Sequence, residues 1–174
     1  MDKPIFAQAL EAQTLNPTLS IHPWSPDLAG AFHDINMQWI EAMFGLVATD
    51  RLVLENPQSM IIDKGGDILF VSVEGLGIVG ACALLPAKDL GTFELAKMGV
   101  LDSARGQKAG EFLLAAVLER ARKMKIETLF LLTNKKCEAA IHLYEKLGFV
   151  HDPDIMARYG CNYERCDVAM RYSV

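Results

Sequence analysis

The sequence predicts an α/β (α+β) fold, a mixed sheet flanked by helices, and three observations carry that reading. The chain has 174 residues, 51% hydrophobic and 22% charged, enough to bury a full core and too apolar for disorder. Its apolar periodicities run in the order β-α-α-β-β-β-α-β-α-β. Consecutive hairpin strands in the middle exclude the strict βα alternation of a doubly wound nucleotide fold. Residues 19–174 read as one domain, preceded by a loosely held segment over 1–18 with scattered polar and turn residues.

Leu19–His22 is the first strand, stopped by Pro23 and Pro26. Asp27 is placed to cap a helix from Leu28 to Phe44, whose apolar side carries Phe32, Ile35, Trp39, Ile40 and Met43. Thr49-Asp50 starts a short helix that ends before Asn56-Pro57. Lys64-Gly65-Gly66-Asp67 is a turn, and Ile68–Val73 and Ile78–Leu85 pair as a hairpin around Glu74-Gly75-Leu76-Gly77. After Pro86–Gly91 comes the strand Phe93–Val100. The next helix buries Gly110, Leu113, Leu114, Val117, Leu118 and Ala121 on one face and turns Glu111, Glu119 and Arg120 outward. Thr128–Thr133 is a short buried strand, followed by a helix ending Leu143-Tyr144-Glu145-Lys146-Leu147. Gly148 supplies the left-handed stop, Phe149 returns the chain to the sheet, and Asp167–Tyr172 is the closing strand.

Arg105-Gly106-Gln107-Lys108-Ala109-Gly110 joins the strand ending at Val100 to a helix N-terminus. Helix starts carry N–H groups without intrahelical partners and the positive end of the dipole, so the loop forms a cradle suited to a pyrophosphate.

The order Val-x4-Arg-Gly-x3-Gly, helix, strand, then Leu-Tyr-Glu-Lys-Leu-Gly-Phe resembles the GNAT superfamily of N-acetyltransferases, most strongly over residues 92–150. The resemblance implies a mixed, mostly antiparallel sheet in which a splayed parallel pair, ending near Val100 and Thr133, binds acetyl-CoA as acetyl donor. By the same resemblance Met98, Gly99 and Val100 offer backbone groups to the pantetheine arm. Gly99 equally suits a plain strand terminus. Arg105, Gly106, Gln107, Lys108, Ala109 and Gly110 take the pyrophosphate. Lys108 stands where the family's middle glycine is expected; it crowds the loop if φ must be positive, or its ammonium meets a phosphate. Cys137 replaces the Asn often found seven residues before the tyrosine, and Asn134 is the substitute cofactor contact. Tyr144 corresponds to the acid that protonates the departing thiolate, a phenol of comparable basicity, and otherwise packs as a core residue. Glu94 corresponds to the general base of some members, its alternative being a structural carboxylate.

The chain therefore reads as an N-acetyltransferase moving an acetyl group to a primary amine, a small molecule by preference, through direct attack in a ternary complex. A non-catalytic acyl-CoA-binding module and a protein lysine or N-terminal acetyltransferase remain alternatives, and homodimer formation stays open. A net charge of −5 and a pI near 5.3 speak against nucleic-acid partners. No apolar run reaches a membrane span and Met1-Asp2-Lys3-Pro4 opens no signal peptide, so the expectation is cytoplasmic. Cys82, Cys137, Cys161 and Cys166 have no zinc-site spacing and read as reduced packing residues, and no metal is expected.

Overall fold

The computed structural model describes residues 17–174, so the segment expected over 1–18 lies, up to residue 16, outside the described residues. Seven strands form one sheet: β1 (Leu19–Pro23), β2 (Asp67–Val73), β3 (Gly77–Pro86), β4 (Thr92–Val100), β5 (Thr128–Thr133), β6 (Val150–His151) and β7 (Val168–Tyr172). Their spatial order is β1-β2-β3-β4-β5-β7-β6, and only β4 and β5 run parallel. The sheet is thus mixed and mostly antiparallel.

Five helices cover it: α1 (Ala29–Met43), α2 (Ala48–Glu55), α3 (Ala109–Lys123), α4 (Glu138–Lys146) and α5 (Pro153–Tyr159). Strand alternation sends alternate side chains to opposite faces. On one face Leu69, Val71, Leu84, Leu129 and Leu131 meet Leu113, Leu114 and Val117 of α3. On the other, Ile68, Phe70, Ala81 and Ala83 meet Phe32, Ile35 and Ile40 of α1 and Leu54 of α2. A smaller group, Phe130, Ile155, Tyr159 and Ala169, seats α5. Among the described residues no helix is long and apolar enough to cross a membrane.

One local reading needs correction. Asp27 does not cap α1: it lies inside a 3-10 turn, Pro26–Leu28, and Leu28 precedes the helix with no side-chain cap. Thr49-Asp50 does lie at the start of α2, and Asp50 there is buried and committed to a charge cluster. Helix α5 has no counterpart among the elements expected from sequence, although Asp152 caps it by accepting from the Asp154 and Ile155 amides at 2.8 and 3.1 Å, with Pro153 in the first turn.

Candidate active site

Pairing between β4 and β5 stops early. Only Thr92↔Thr128, Phe93↔Leu129 and Glu94↔Phe130 are in register; beyond them β4 stays with β3 and β5 with β7. The two strands therefore diverge toward Val100 and Thr133, and the backbone edges facing the gap lack a strand partner.

A bulge in β4 lies just beyond the last residue paired with β5. Ala81 pairs with Gly99 and Ala83 with Ala96, so Lys97 and Met98 together oppose one residue of β3. Lys97 takes a left-handed φ of 51° there. Simple alternation would put Glu94, Ala96 and Met98 on one face; the bulge instead leaves Glu94, Ala96 and Lys97 in one cavity and Met98 in the next.

The larger cavity, about 500 Å³, is the cleft between the splayed strands, bounded by Met98, Gly99, Val100, Gly110, Leu143 and Tyr144. At its end the chain turns through Asp102–Ala104 and enters the 105–110 loop. Gly106 has φ +81° with open space where a Cβ would stand, and Lys108 is itself left-handed at φ +58°. The loop thus has the backbone that favours glycine at 108, and an exposed lysine adopts it. No side chain caps α3, which leaves its first N–H groups available to an anion. The Gln107 Oε1 is buried without a hydrogen-bond partner among the described residues. An uncapped helix start, unpaired strand edges and a cleft of this size together fit a nucleotide thioester such as acetyl-CoA.

Gly99 is required by a neighbour. A Cβ there would stand 2.6 Å from Trp39 Nε1, and closer still to Cδ1. Trp39 Nε1 donates to Asn36 Oδ1 at 2.9 Å, and buried Asn36 in turn donates to the Phe32 carbonyl at 2.9 Å. Trp39, Thr133 and Cys137 border both the cleft and a second, tighter chamber of about 70 Å³. In sequence Trp39 belongs to the apolar side of a helix and Cys137 is a departure from a motif; in space each stands on the wall between the two cavities.

Glu94 lies in the tight chamber and is 8% exposed. Burial pushes its carboxyl up to about 7, against the opposing effects of a Tyr163 hydrogen bond and the Lys97 charge. Burial, and then the neighbouring Glu94, raise the Tyr163 phenol. Tyr144, 7% exposed, reaches the cleft from α4 and packs edge-on to Phe149 at 5.7 Å. Burial raises its pKa too, with Cys82 and Cys137 adding to the effect, so its phenol stays protonated at neutral pH.

Asn134 borders the Glu94 chamber rather than the cleft. Its Nδ2 donates to the Arg165 carbonyl at 2.8 Å and its Oδ1 accepts from the Lys136 amide at 2.9 Å. A third hollow, about 500 Å³, opens outward between Phe44–Thr49 and Asn162–Arg165 and shares Phe44, Tyr163 and Arg165 with the chamber. Tyr163 and Arg165 went unmarked in the sequence, because no local pattern links them to Glu94.

A family model described as an acetyltransferase (GNAT) domain matches residues 65–151. The uncharacterized N-acetyltransferase YjgM of Escherichia coli (strain K12) is 31% identical over 139 residues, 75% of this chain and 81% of that protein. An amino-acid acetyltransferase of Pseudomonas paraeruginosa (strain DSM 24068 / PA7) is 31% identical over 125 residues, 68% of this chain; the match takes in 28% of that relative's length. Among solved structures, a GNAT-family acetyltransferase from Staphylococcus aureus Mu50 superposes with a TM-score of 0.78 at 20% identity, covering 90% of this chain and 99% of that one. The PaiA N-acetyltransferase from Thermoplasma acidophilum, in complex with coenzyme A, does so with 0.67 at 14%, covering 90% and 99%.

Proposed function

The chain belongs to the GNAT acetyltransferase family, and on that premise we propose that it acetylates the primary amine of a small molecule. Acetyl-CoA supplies the acetyl group as a thioester. The observation that carries the reading is the pair of cavities with a common wall: Glu94 faces one, Tyr144 the other, and Trp39, Thr133 and Cys137 border both. Such a layout lets donor and acceptor be held together, as direct attack in a ternary complex requires.

On the donor side, Arg105, Gly106, Gln107, Lys108, Ala109 and Gly110 hold the pyrophosphate, and the free edge at Met98, Gly99 and Val100 bonds the pantetheine arm like an added strand. An N–H of that edge polarises the acyl carbonyl. On the acceptor side, an ammonium group loses its proton to the Glu94 carboxylate, whose raised pKa suits a base working near neutrality. Tyr144, protonated at neutral pH, donates its hydroxyl proton to the departing sulfur and is reprotonated by the second proton that the nitrogen gives up as the amide forms. Asn134, with both ends of its amide engaged, shapes the acceptor chamber instead of contacting the donor. A chamber of about 70 Å³ favours a small amine over a folded protein surface, and amino-acid acetyltransferases among the relatives point the same way, though this chain spans only 28% of their length.

The test is a panel of amines and amino acids with acetyl-CoA, reading free thiol. Turnover of at least one amine, with mass spectrometry placing the acetyl group on nitrogen, is expected. Acetyl-CoA binding with no acetylated amine across the panel would overturn the proposal in favour of a binding module.

A further inference from the structure

One group of charges outside the proposed chemistry is withdrawn from solvent. Asp50 of α2 is fully buried. Its Oδ1 accepts from Lys97 Nζ at 2.7 Å, and both its oxygens accept from the Arg165 guanidinium, each at 3.0 Å. Against the desolvation that burial imposes, these two cations hold the Asp50 carboxyl below its ordinary range. A buried ion cluster of this kind adds little stability over well-packed apolar side chains, so its contribution lies in what it fixes.

It fixes three separate segments. Lys97 is the left-handed residue of the β4 bulge, and its side chain is 7% exposed. Arg165 belongs to the stretch before β7 that brings Tyr163 to Glu94, and its guanidinium lies 5.0 Å from the centre of the Phe44 ring. Phe44 lies in the link between α1 and α2, which carries Asp50. Each segment supplies a wall of the Glu94 chamber, whereas Asp50, Lys97 and Arg165 are all absent from the lining of the donor cleft.

We propose that Asp50 is a positioning residue of the acceptor chamber, whose single carboxylate sets the β4 bulge through Lys97 and the Tyr163 wall through Arg165. The kinetic part of this inference rests on the acetyl-transfer reading; the electrostatic part does not. Glu94 is faced by Tyr163 and Cys166 from the segment before β7, by Cys137 at the start of α4, and by Lys97 from its own strand, with Arg165 behind them. Asp50 offsets one of the two positive charges that Lys97 and Arg165 bring to that set. Asp50→Asn leaves one more positive charge uncompensated beside the chamber, and Glu94 ionises more readily. In Lys97→Met a favourable charge is gone, and Glu94 ionises less readily.

The experiment follows the Glu94 side-chain carboxyl by carbon-13 NMR against pH, assigned by its loss in Glu94→Gln, in the intact protein and both variants. The midpoint should fall in Asp50→Asn and rise in Lys97→Met. Calorimetry should find acetyl-CoA affinity unchanged in both, while kcat/KM for the acceptor falls by about a hundredfold in Asp50→Asn. A Glu94 midpoint unmoved in Asp50→Asn, or acetyl-CoA affinity lost together with acceptor turnover, would overturn the assignment and leave a structural ion cluster. If no amine is turned over by the intact protein, the functional proposal fails, and the NMR midpoints with acetyl-CoA affinity still decide the place of Asp50. Should Asp50→Asn not fold, Lys97→Met and Arg165→Met cut one arm each. Either must lower acceptor kcat/KM with acetyl-CoA affinity intact, and loss of both together would overturn the proposal.

Discussion

Replacing Gly99 with alanine should be among the costliest single-methyl changes in this protein. The new Cβ would lie 2.6 Å from Trp39 Nε1 and 3.3 Å from Ile35 Cγ2, where unstrained carbon contacts begin at about 3.5 Å. The indole must retreat by about 1 Å, yet its Nε1 is held at 2.9 Å by Asn36, itself buried and tied to the Phe32 carbonyl. Overpacking costs about 1–3 kcal/mol, and breaking the indole hydrogen bond adds about 1 kcal/mol. For a domain of this size that total lowers Tm by about 6–12 °C. Gly110→Ala is the internal control: its Cβ would meet Leu143 and Val100 at 3.5 and 3.6 Å, ordinary contacts, and alanine suits a helix better. Calorimetric melting of both variants checks the contrast, with Gly110→Ala expected to be unchanged or slightly raised. Trp39→Leu combined with Gly99→Ala should be less damaged than the two single effects added. A Gly99→Ala protein melting with the wild type would refute the argument that Trp39 is rigidly seated on that glycine.

Glu94→Gln should abolish the rise of kcat/KM through about pH 7, because that rise reports ionisation of the Glu94 carboxyl. The same carboxyl binds its proton more tightly folded than unfolded, so it makes stability fall as pH climbs from 4.5 to about 7. The glutamine variant should lose that slope in denaturant titrations, a difference of about 3 kcal/mol across the window. Tyr144→Phe should keep its melting temperature and acetyl-CoA affinity while turnover drops by about 10- to 1,000-fold; unchanged turnover with chemistry rate-limiting would return Tyr144 to the core. Lys108→Gly should relieve a left-handed lysine and raise stability by about 1 kcal/mol, visible as an increase in Tm; an unchanged Tm would mean that the loop holds this shape without strain.

Elements with strong periodicity were legible from sequence: the strands around Phe70 and Ala83, the α3 stripe of Leu113, Leu114 and Val117, and the Gly148 stop. Helix α5 was not, since seven residues with only Ile155 and Tyr159 buried give too little pattern, even beside the readable Asp152-Pro153 cap. In the proposed site the motif residues could be named because they sit in runs. Tyr163 and Arg165 could not, for each reaches the Glu94 chamber only through the packing of a distant segment. Asp50 illustrates the limit most sharply: in sequence it is an acid near a helix start, whereas in space it lies 2.7 Å from a lysine 47 residues away. The left-handed backbone at Lys97 had no signal at all, because the bulge that requires it arises from the register of β3.

A seven-stranded sheet ordinarily presents two edges to its surroundings, and here both are modest: β1 is five residues ending in Pro23, and β6 is two. The early end of the β4–β5 pairing adds two more, along Leu95–Val100 and Leu131–Thr133, apolar apart from Lys97 and Thr133 and turned toward one another across the cleft. Exposed edges of this kind are templates for strand addition by other chains, usually blunted by charge, proline or a covering helix. Inside the cleft the nearby wall of Trp39 and α4 guards them, and only while the two half-sheets keep their spacing. Because α3 packs on both half-sheets as one core, parting β4 from β5 breaks that shared packing and exposes an aggregation-prone template in the same step. On the proposed function, a donor seated along those strands occupies the edge, so the same unpaired backbone that would bind it is the part of the protein that binding shields from strand addition.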